Sequence, residues 1–278
     1  MHRGQLDHHN EIKFVHPVSK ATKFMLLPPV AAAMLPRTDF RARHDTCAVV
    51  GQSGSLSGSR LGAIIDGNAA VFRIDNSPSS LKHAADVGRR TTYQVLNAEW
   101  GEALLNREEK GRNLPRVARW WIDVATLVLW SPFSADDYAT LKGLYPDANV
   151  IYLSRELASA AEGVAATLRR YIEDQLGISL NLPAEPLEGG AASSLIPSLV
   201  MALHVCTKVT VYGVHPHCGR TAKHCRYTYF DESEPSPRDQ ENSRLQQNAV
   251  TALELAEVLS APRVSALQRL RGGAGGGG

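Results

Sequence analysis

Residues Cys47 to Asn97 read CAVVGQSGSLSGSRLGAIIDGNAAVFRIDNSPSSLKHAADVGRRTTYQVLN, and their pattern decides the fold. The stretch opens on a short apolar run, Cys47-Ala-Val-Val, of the kind that forms a buried strand. A turn of small residues follows at once: Gly51, Gln52, Ser53 and Gly54, then Ser55, Ser57, Gly58 and Gly62. A second apolar run, Ala69 to Ile74, ends in Asp75-Asn76-Ser77-Pro78. A third, Thr91 to Leu96, is β-branched and ends at Asn97. Three times a strand runs directly into polar residues. In open α/β sheets ligands sit at the carboxyl ends of the strands, so these ends mark a candidate site.

The same pattern continues outward. Val124 to Trp130 (VATLVLW) is a buried strand stopped by Ser131-Pro132, and Asn149 to Leu153 and Lys208 to Tyr212 are two more. Helices are predicted over 99–107, over 135–144 with Ser134 as N-cap, over 154–176 with Gly177 as stop, over 193–206 and over 249–259. A polar, His- and Pro-rich loop separates the last two from about Gly213 to Gln247. Strands alternating with helices, and near-continuous Val/Ile/Leu runs, argue an α/β fold: a Rossmann-like, mostly parallel six-stranded sheet with helices on both faces, in a single domain. Residues 1–40 read as an irregular lead-in, and the glycine-rich end, 263–278, reads as a flexible tail.

The 278 residues are 44% hydrophobic, enough for one sizeable core. A net charge of +2, from 30 basic and 28 acidic residues, gives no single-sign field that would suit nucleic acid. Phe24 to Leu35 (FMLLPPVAAAML) is apolar but short and is broken by Pro28-Pro29. It matches neither a signal peptide nor a membrane anchor, so membrane association would need a segment not seen in this chain. Four cysteines stand at 47, 206, 218 and 225. Cys218 and Cys225, with His215, His217 and His224 nearby, invite a zinc reading, but the spacing fits no common finger. An even count with one wide and one close pair suits two disulfides at least as well.

Each local feature has two readings. Gly51 to Gly54 offers backbone N–H groups that would cradle a phosphate, or is a tight turn that needs glycine for its geometry. Ser193-Ser194 opens a helix after Gly189-Gly190: an anion site, or a plain N-cap. His204, inside that apolar helix, reads as a core histidine. The histidines at 215–224, on a loop after a strand end, are better placed for chemistry.

Taken together the parts are more specific. CAVVGQSGSL, IDGNAAVFRIDNSP and DVGRRTTYQVLN resemble the long sialyl motif of the eukaryotic sialyltransferases, glycosyltransferase family 29, which also has plant and algal members. SSLIPSLVMALHVCTKVTVYG, Ser193 to Gly213, resembles their short motif, and RYTYFDES, from Arg226, falls where the third motif belongs. The resemblance makes 41–262 the catalytic domain and implies a variant glycosyltransferase-A fold. It implies inverting transfer of sialic acid from CMP-sialic acid to a glycan hydroxyl in protein glycosylation, in the Golgi lumen, without metal or other cofactor. It pairs Cys47 with Cys206 in a disulfide, which across so long a loop would stabilise by roughly 4–5 kcal/mol. It places the donor against Gln52, Ser53, Gly54, Asp75, Asn76, Asn97, Ser193, Ser194 and Gly213. Gln52 and Asp75 stand where the family has asparagines, and Leu195 stands where it has glycine. Thr228 takes the position of the phosphate-side histidine, with Tyr229-Phe230-Asp231 matching the rest of that motif. Aligning on Val250 puts Asn242 at the position of the base histidine, and a shift of a few residues brings Asp239 or Glu241 there. Asp239 and His224 are therefore further catalytic candidates. The resemblance leaves two alternatives: a catalytically impaired nucleotide- or glycan-binding homologue, and a transferase using CMP-Kdo.

Overall fold

In the computed structural model of the chain, residues 1–15, 20–105, 124–131, 134–177, 193–214, 226–232, 237–255 and 257–261 are described, with the backbone alone for 176, 237–242 and 255. Eight strands are present among them: β1 Glu11–Val15, β2 Thr22–Leu26, β3 His44–Val50, β4 Ala70–Ile74, β5 Tyr93–Leu96, β6 Thr126–Leu129, β7 Val150–Tyr152 and β8 Cys206–Tyr212. The α-helices are α1 Pro29–Met34, α2 Gly62–Asp66, α3 Ala84–Val87, α4 Ala98–Leu105, α5 Ala135–Leu144, α6 Arg155–Leu176, α7 Leu195–Val205 and α8 Pro237–Leu255. All six strands expected from 46 onward form one sheet in the order β7-β6-β5-β4-β3-β8. Every pair in it is parallel.

Alternate residues along a strand face opposite sides, and both sides are covered. Cys47, Val49, Phe72, Val95 and Val128 face a core closed by Ala158 and Ala161 of α6, Leu195, Leu199 and Ala202 of α7, and Ala249 and Val250 of α8. On the other face Ala48, Val50 and Val71 pack on Leu56, Leu61, Ile65, Val87 and Tyr229. Further along that face Leu96, Leu127 and Leu129 pack on Ala31 and Ala32 of α1, Leu104 of α4, and Tyr138 and Leu141 of α5. Gly177 stops α6 in the left-handed region, φ 63°, as its position predicts.

The strand order locates the site. The chain steps outward from β3 to β7, then returns and adds β8 on the other side of β3. The sheet therefore reverses its winding between β3 and β8, and ligands of open α/β sheets bind at such a switch point.

Three expectations are corrected. Residues 1–40 are not an irregular lead-in. β1 and β2 form an antiparallel pair, with Ile12 opposite Met25 and Phe14 opposite Lys23. Ile12, Leu27 and Leu35 are buried in the same core as Leu127, Leu129 and Tyr152. The Met1 ammonium donates to the Tyr152 carbonyl at 2.6 Å. The Met1–Tyr152 contact joins residues 151 positions apart, and no local pattern announces it. Pro29, read as a breaker, is the first residue of α1, where a missing N–H costs nothing. The last helix begins at Pro237, not at 249. Its first half, PRDQENSRLQQ, has no apolar period, yet most of its residues have good helix propensity. Ala249 and Val250 anchor it to the sheet.

Candidate functional site

The turn after β3 is built by backbone touching backbone. Gly51 N donates to Tyr212 O at 2.8 Å and Ser53 N donates to Gly213 O at 2.9 Å. Gly54 N donates to Tyr227 O at 3.1 Å, and Tyr229 N donates to Gln52 O at 3.0 Å. Ser53 and Thr228 form an antiparallel bridge. A Cβ on Gly54 would lie 2.0 Å from Arg226 O, and one on Gly51 would lie 2.5 Å from Gly213 O. Gly213 itself adopts φ +69°. The glycines are therefore required by close packing of three chain segments. The N–H groups of Gly51, Ser53 and Gly54 are spent on that packing, which corrects the idea that they stand free to cradle a phosphate.

Two side-chain clusters rim this turn. Gln52 Nε2 donates to Asn76 Oδ1 at 3.0 Å, so the amide ends of β3 and β4 meet. Asp75, with φ 48°, is buried and turned inward. Its Oδ1 accepts from Ser194 Oγ at 2.5 Å and from Asn97 N at 3.3 Å. Its Oδ2 accepts from Ser194 N at 3.2 Å. Trp130 Nε1 donates to the same Ser194 Oγ at 2.9 Å, and Gln94 Nε2 donates to the Asp75 carbonyl at 2.6 Å. Burial pushes the Asp75 carboxyl up to about 6, against the pull of the hydrogen bonds from Ser194 and Asn97 and with the added repulsion of Glu99. One carboxylate thus ties the ends of β4 and β5 to the start of α7.

The expected site residues fare differently. Gln52, Ser53, Gly54, Asp75, Asn76, Asn97, Ser193, Ser194 and Gly213 lie at or next to the carboxyl ends of β3, β4, β5 and β8 and at the start of α7. Asp75 and Ser194 are turned on each other. Ser194 heads α7, but its hydroxyl goes to Asp75, whereas Ser193 Oγ accepts from Leu195 N at 3.3 Å. Asn97 Oδ1 accepts from Trp100 N at 2.9 Å and caps α4. Cys47 and Cys206 form a disulfide across β3 and β8, with Cα atoms 6.1 Å apart.

Thr228 is buried, and its hydroxyl accepts from Asp231 N at 2.9 Å. His204 is exposed on α7, not in the core. Asp239 and Asn242 lie in the first turns of α8. His215, His217, Cys218, His224 and Cys225 lie outside the described residues, and with them the zinc and second-disulfide readings. The sequence reading passed over Trp130 and Gln94. Their one signal was position, Trp130 closing the β6 run at the carboxyl edge and Gln94 being a polar residue inside a buried strand.

Known proteins resemble this chain in sequence. A family model described as glycosyltransferase family 29 (sialyltransferase) matches residues 4–256. Sialyltransferase-like protein 1 of Oryza sativa subsp. indica is 33% identical over 34% of this chain and 28% of its own length. Beta-galactoside alpha-2,6-sialyltransferase 2 of Danio rerio is 25% identical over 77% of this chain and 40% of its own length. The match thus spans well under half the length of these curated relatives. A crystal structure of a mammalian sialyltransferase aligns with a TM-score of 0.46 at 18% identity, over 79% of this chain and 69% of that one.

Proposed function

The chain belongs to glycosyltransferase family 29, the sialyltransferases, and on that premise we propose that it transfers sialic acid from CMP-sialic acid to a glycan hydroxyl, with inversion. The observation that carries this reading is convergence. Segments far apart in the chain (Gln52–Ser53, Asp75, Ser194, Gly213 and Thr228–Tyr229) are hydrogen-bonded into one rim at the β3–β8 switch point. The CMP phosphate would lie across that rim near the start of α7, where the helix N-terminus favours negative charge.

In the reaction the acceptor oxygen attacks the anomeric carbon of sialic acid, the bond from that carbon to the phosphate oxygen breaks, and CMP leaves. A base takes the acceptor proton, and hydrogen-bond donors stabilise the leaving phosphate. Asn242 is no base, so Asp239, in the first turn of the same helix, is the carboxylate candidate. An ordinary carboxylate is a weaker base than a histidine. His224 is the candidate for the phosphate side. The donor and acceptor are the only partners this chemistry needs. It proceeds without metal, so chelation by EDTA leaves the rate unchanged. A Golgi lumenal site suits the disulfide. Among the described residues no helix is long and apolar enough to cross a membrane.

One observation favours a second reading, a homologue that binds the nucleotide without transfer. The Thr228 hydroxyl, at the position of a catalytic histidine, is engaged by Asp231 in a local turn. The deciding experiment gives the purified protein CMP-sialic acid and a galactose-terminated acceptor. The proposed function yields sialylated product and free CMP. CMP binding without product overturns it in favour of the second reading. Product from CMP-Kdo and none from CMP-sialic acid reassigns the donor.

A further inference from the structure

The resemblance implies an amide where this chain has Asp75, and the structure shows what the carboxylate does instead. Its two oxygens accept three hydrogen bonds, two from Ser194 and one from Asn97 N. Ser194 is the residue from which α7 starts. Its hydroxyl is held from the other side by Trp130 Nε1, and its carbonyl accepts from Ser198 Oγ at 2.6 Å. Asp75, Ser194 and Ser198 are all buried, as is the ring of Trp130. An amide at 75 satisfies this arrangement less well. With its oxygen toward Ser194 Oγ and Asn97 N, its NH2 faces Ser194 N, donor against donor. A second carboxylate oxygen is what Ser194 N requires.

We propose that Asp75 is a positioning residue. It touches no donor, but through Ser194 it fixes the first turn of α7 against the carboxyl ends of β4 and β5, and so sets the affinity for the nucleotide. The inference rests on the reading of this rim as a CMP site. The geometry separates two roles that the motif had merged: Gln52 and Asn76, paired and only part-buried at the rim, remain available to a ligand, whereas Asp75 lies beneath them. Asp75 N also donates to Val95 O at 2.8 Å, so the carboxylate is held from its own backbone and moves with the sheet. Among the described residues the charged group that raises it is Glu99, on α4; Ser194, Asn97, Gln94 and Trp130, which face it, are neutral.

The test measures CMP affinity by calorimetry for the wild type, Asp75→Asn, Ser194→Ala and the double variant, with hydrogen exchange of the ligand-free proteins alongside. Positioning predicts that each single change weakens CMP about tenfold, and that the double variant is no weaker than either single one, because both remove the same link. It predicts faster exchange of the Leu195, Ile196 and Ser198 amides in both singles without ligand. Leu141→Ala, in the core under α5, serves as the control for general destabilisation and leaves CMP affinity within about twofold. If Asp75 instead meets the donor, Asp75→Asn tightens CMP by removing a charge beside the phosphate, and the effects of the two changes multiply; either result overturns the proposal. If CMP affinity is unchanged while exchange at α7 rises, the link is structural only, and the proposal fails. If the wild type binds no CMP, the reading of the rim as a CMP site fails. Faster α7 exchange in both singles then still reports the Asp75–Ser194 link, so the two failures are told apart.

Discussion

At the β3–β8 junction the chain is held by backbone against backbone. Gly51, Gly54 and Gly213 let three segments approach until a single added carbon would meet a carbonyl or a leucine. At the opposite end of the sheet, beyond β6 and β7, side chains do the holding. Met1, Ile12, Leu27 and Leu35 lie over Leu127, Leu129 and Tyr152. The Arg155 guanidinium stands 4.9 Å over the Phe14 ring and pairs with Glu162 at 3.0 Å. The first kind of contact tolerates no change of shape and so fixes a site. The second spreads its energy over many interchangeable apolar atoms and secures the fold. Substitutions at the junction should therefore cost both stability and nucleotide binding, whereas those at the β7 edge should cost stability alone.

The largest expected effect is at the covalent link of the junction. Cys47 and Cys206 are separated by 159 positions, and in the chain-entropy model opening such a loop costs about 4–5 kcal/mol. Cys47→Ser in a guanidinium titration with and without reductant measures it. The wild type in reductant should fall to the midpoint of the variant in reductant. An unchanged midpoint would show that the β3–β8 pairing holds without the bond.

Gly54→Ala comes next. The added carbon would sit 2.0 Å from Arg226 O, with neither backbone free to yield, so about 3 kcal/mol of destabilisation is expected. Because Gln52 lies on this turn and Thr228 is bridged to it, CMP binding should fall with it. Thermal melts and calorimetry on one sample separate the two losses. Retained CMP affinity at lowered stability would erase the difference drawn between the two ends of the sheet.

Ile12→Ala probes the other end. Ile12 is 1% exposed under the β1–β2 pair, and removing its side chain should cost about 2–3 kcal/mol. CMP affinity should stay within about twofold of wild type, under ~0.4 kcal/mol. A large loss of binding would mean that the N-terminal segment reaches the site through the sheet.

This contrast also explains what could be read from the sequence. The six parallel strands were legible because each is a short apolar run that stops at small or polar residues, as Ala70–Ile74 stops at Asp75. The candidate site was legible as strand ends. The division of labour among its residues was not. Nothing in the letters distinguishes a Gly51 that cradles a ligand from one that packs on Gly213, or an Asp75 turned outward from one turned toward Ser194. Those choices are made by partners more than a hundred positions away. The same holds for β1 and β2, whose partners lie on β6, β7 and α6, and for the first half of α8, where tertiary anchoring at Ala249 and Val250 decides for a helix that hydrophobic period does not announce.

The smallest effect sharpens the boundary between the two kinds of residue at the site itself. Asn97 stands at the carboxyl end of β5, and the resemblance gives it to the donor, but its Oδ1 accepts from Trp100 N and its carbonyl from Gly101 N, as an N-cap does. Asn97→Ala should cost about 1 kcal/mol, the usual loss for a cap, because the N–H that Asp75 accepts is backbone and survives the change. If capping is all Asn97 does, CMP affinity is unchanged in calorimetry and Asn97→Asp restores the melting temperature. If affinity drops about tenfold, a loss of ~1.4 kcal/mol, while the melt moves by no more than a cap's worth, Asn97 faces the nucleotide as well. The rim then extends from β3 and β8 across β4 to β5, and the part of the sheet that binds is wider than the part that cannot change shape.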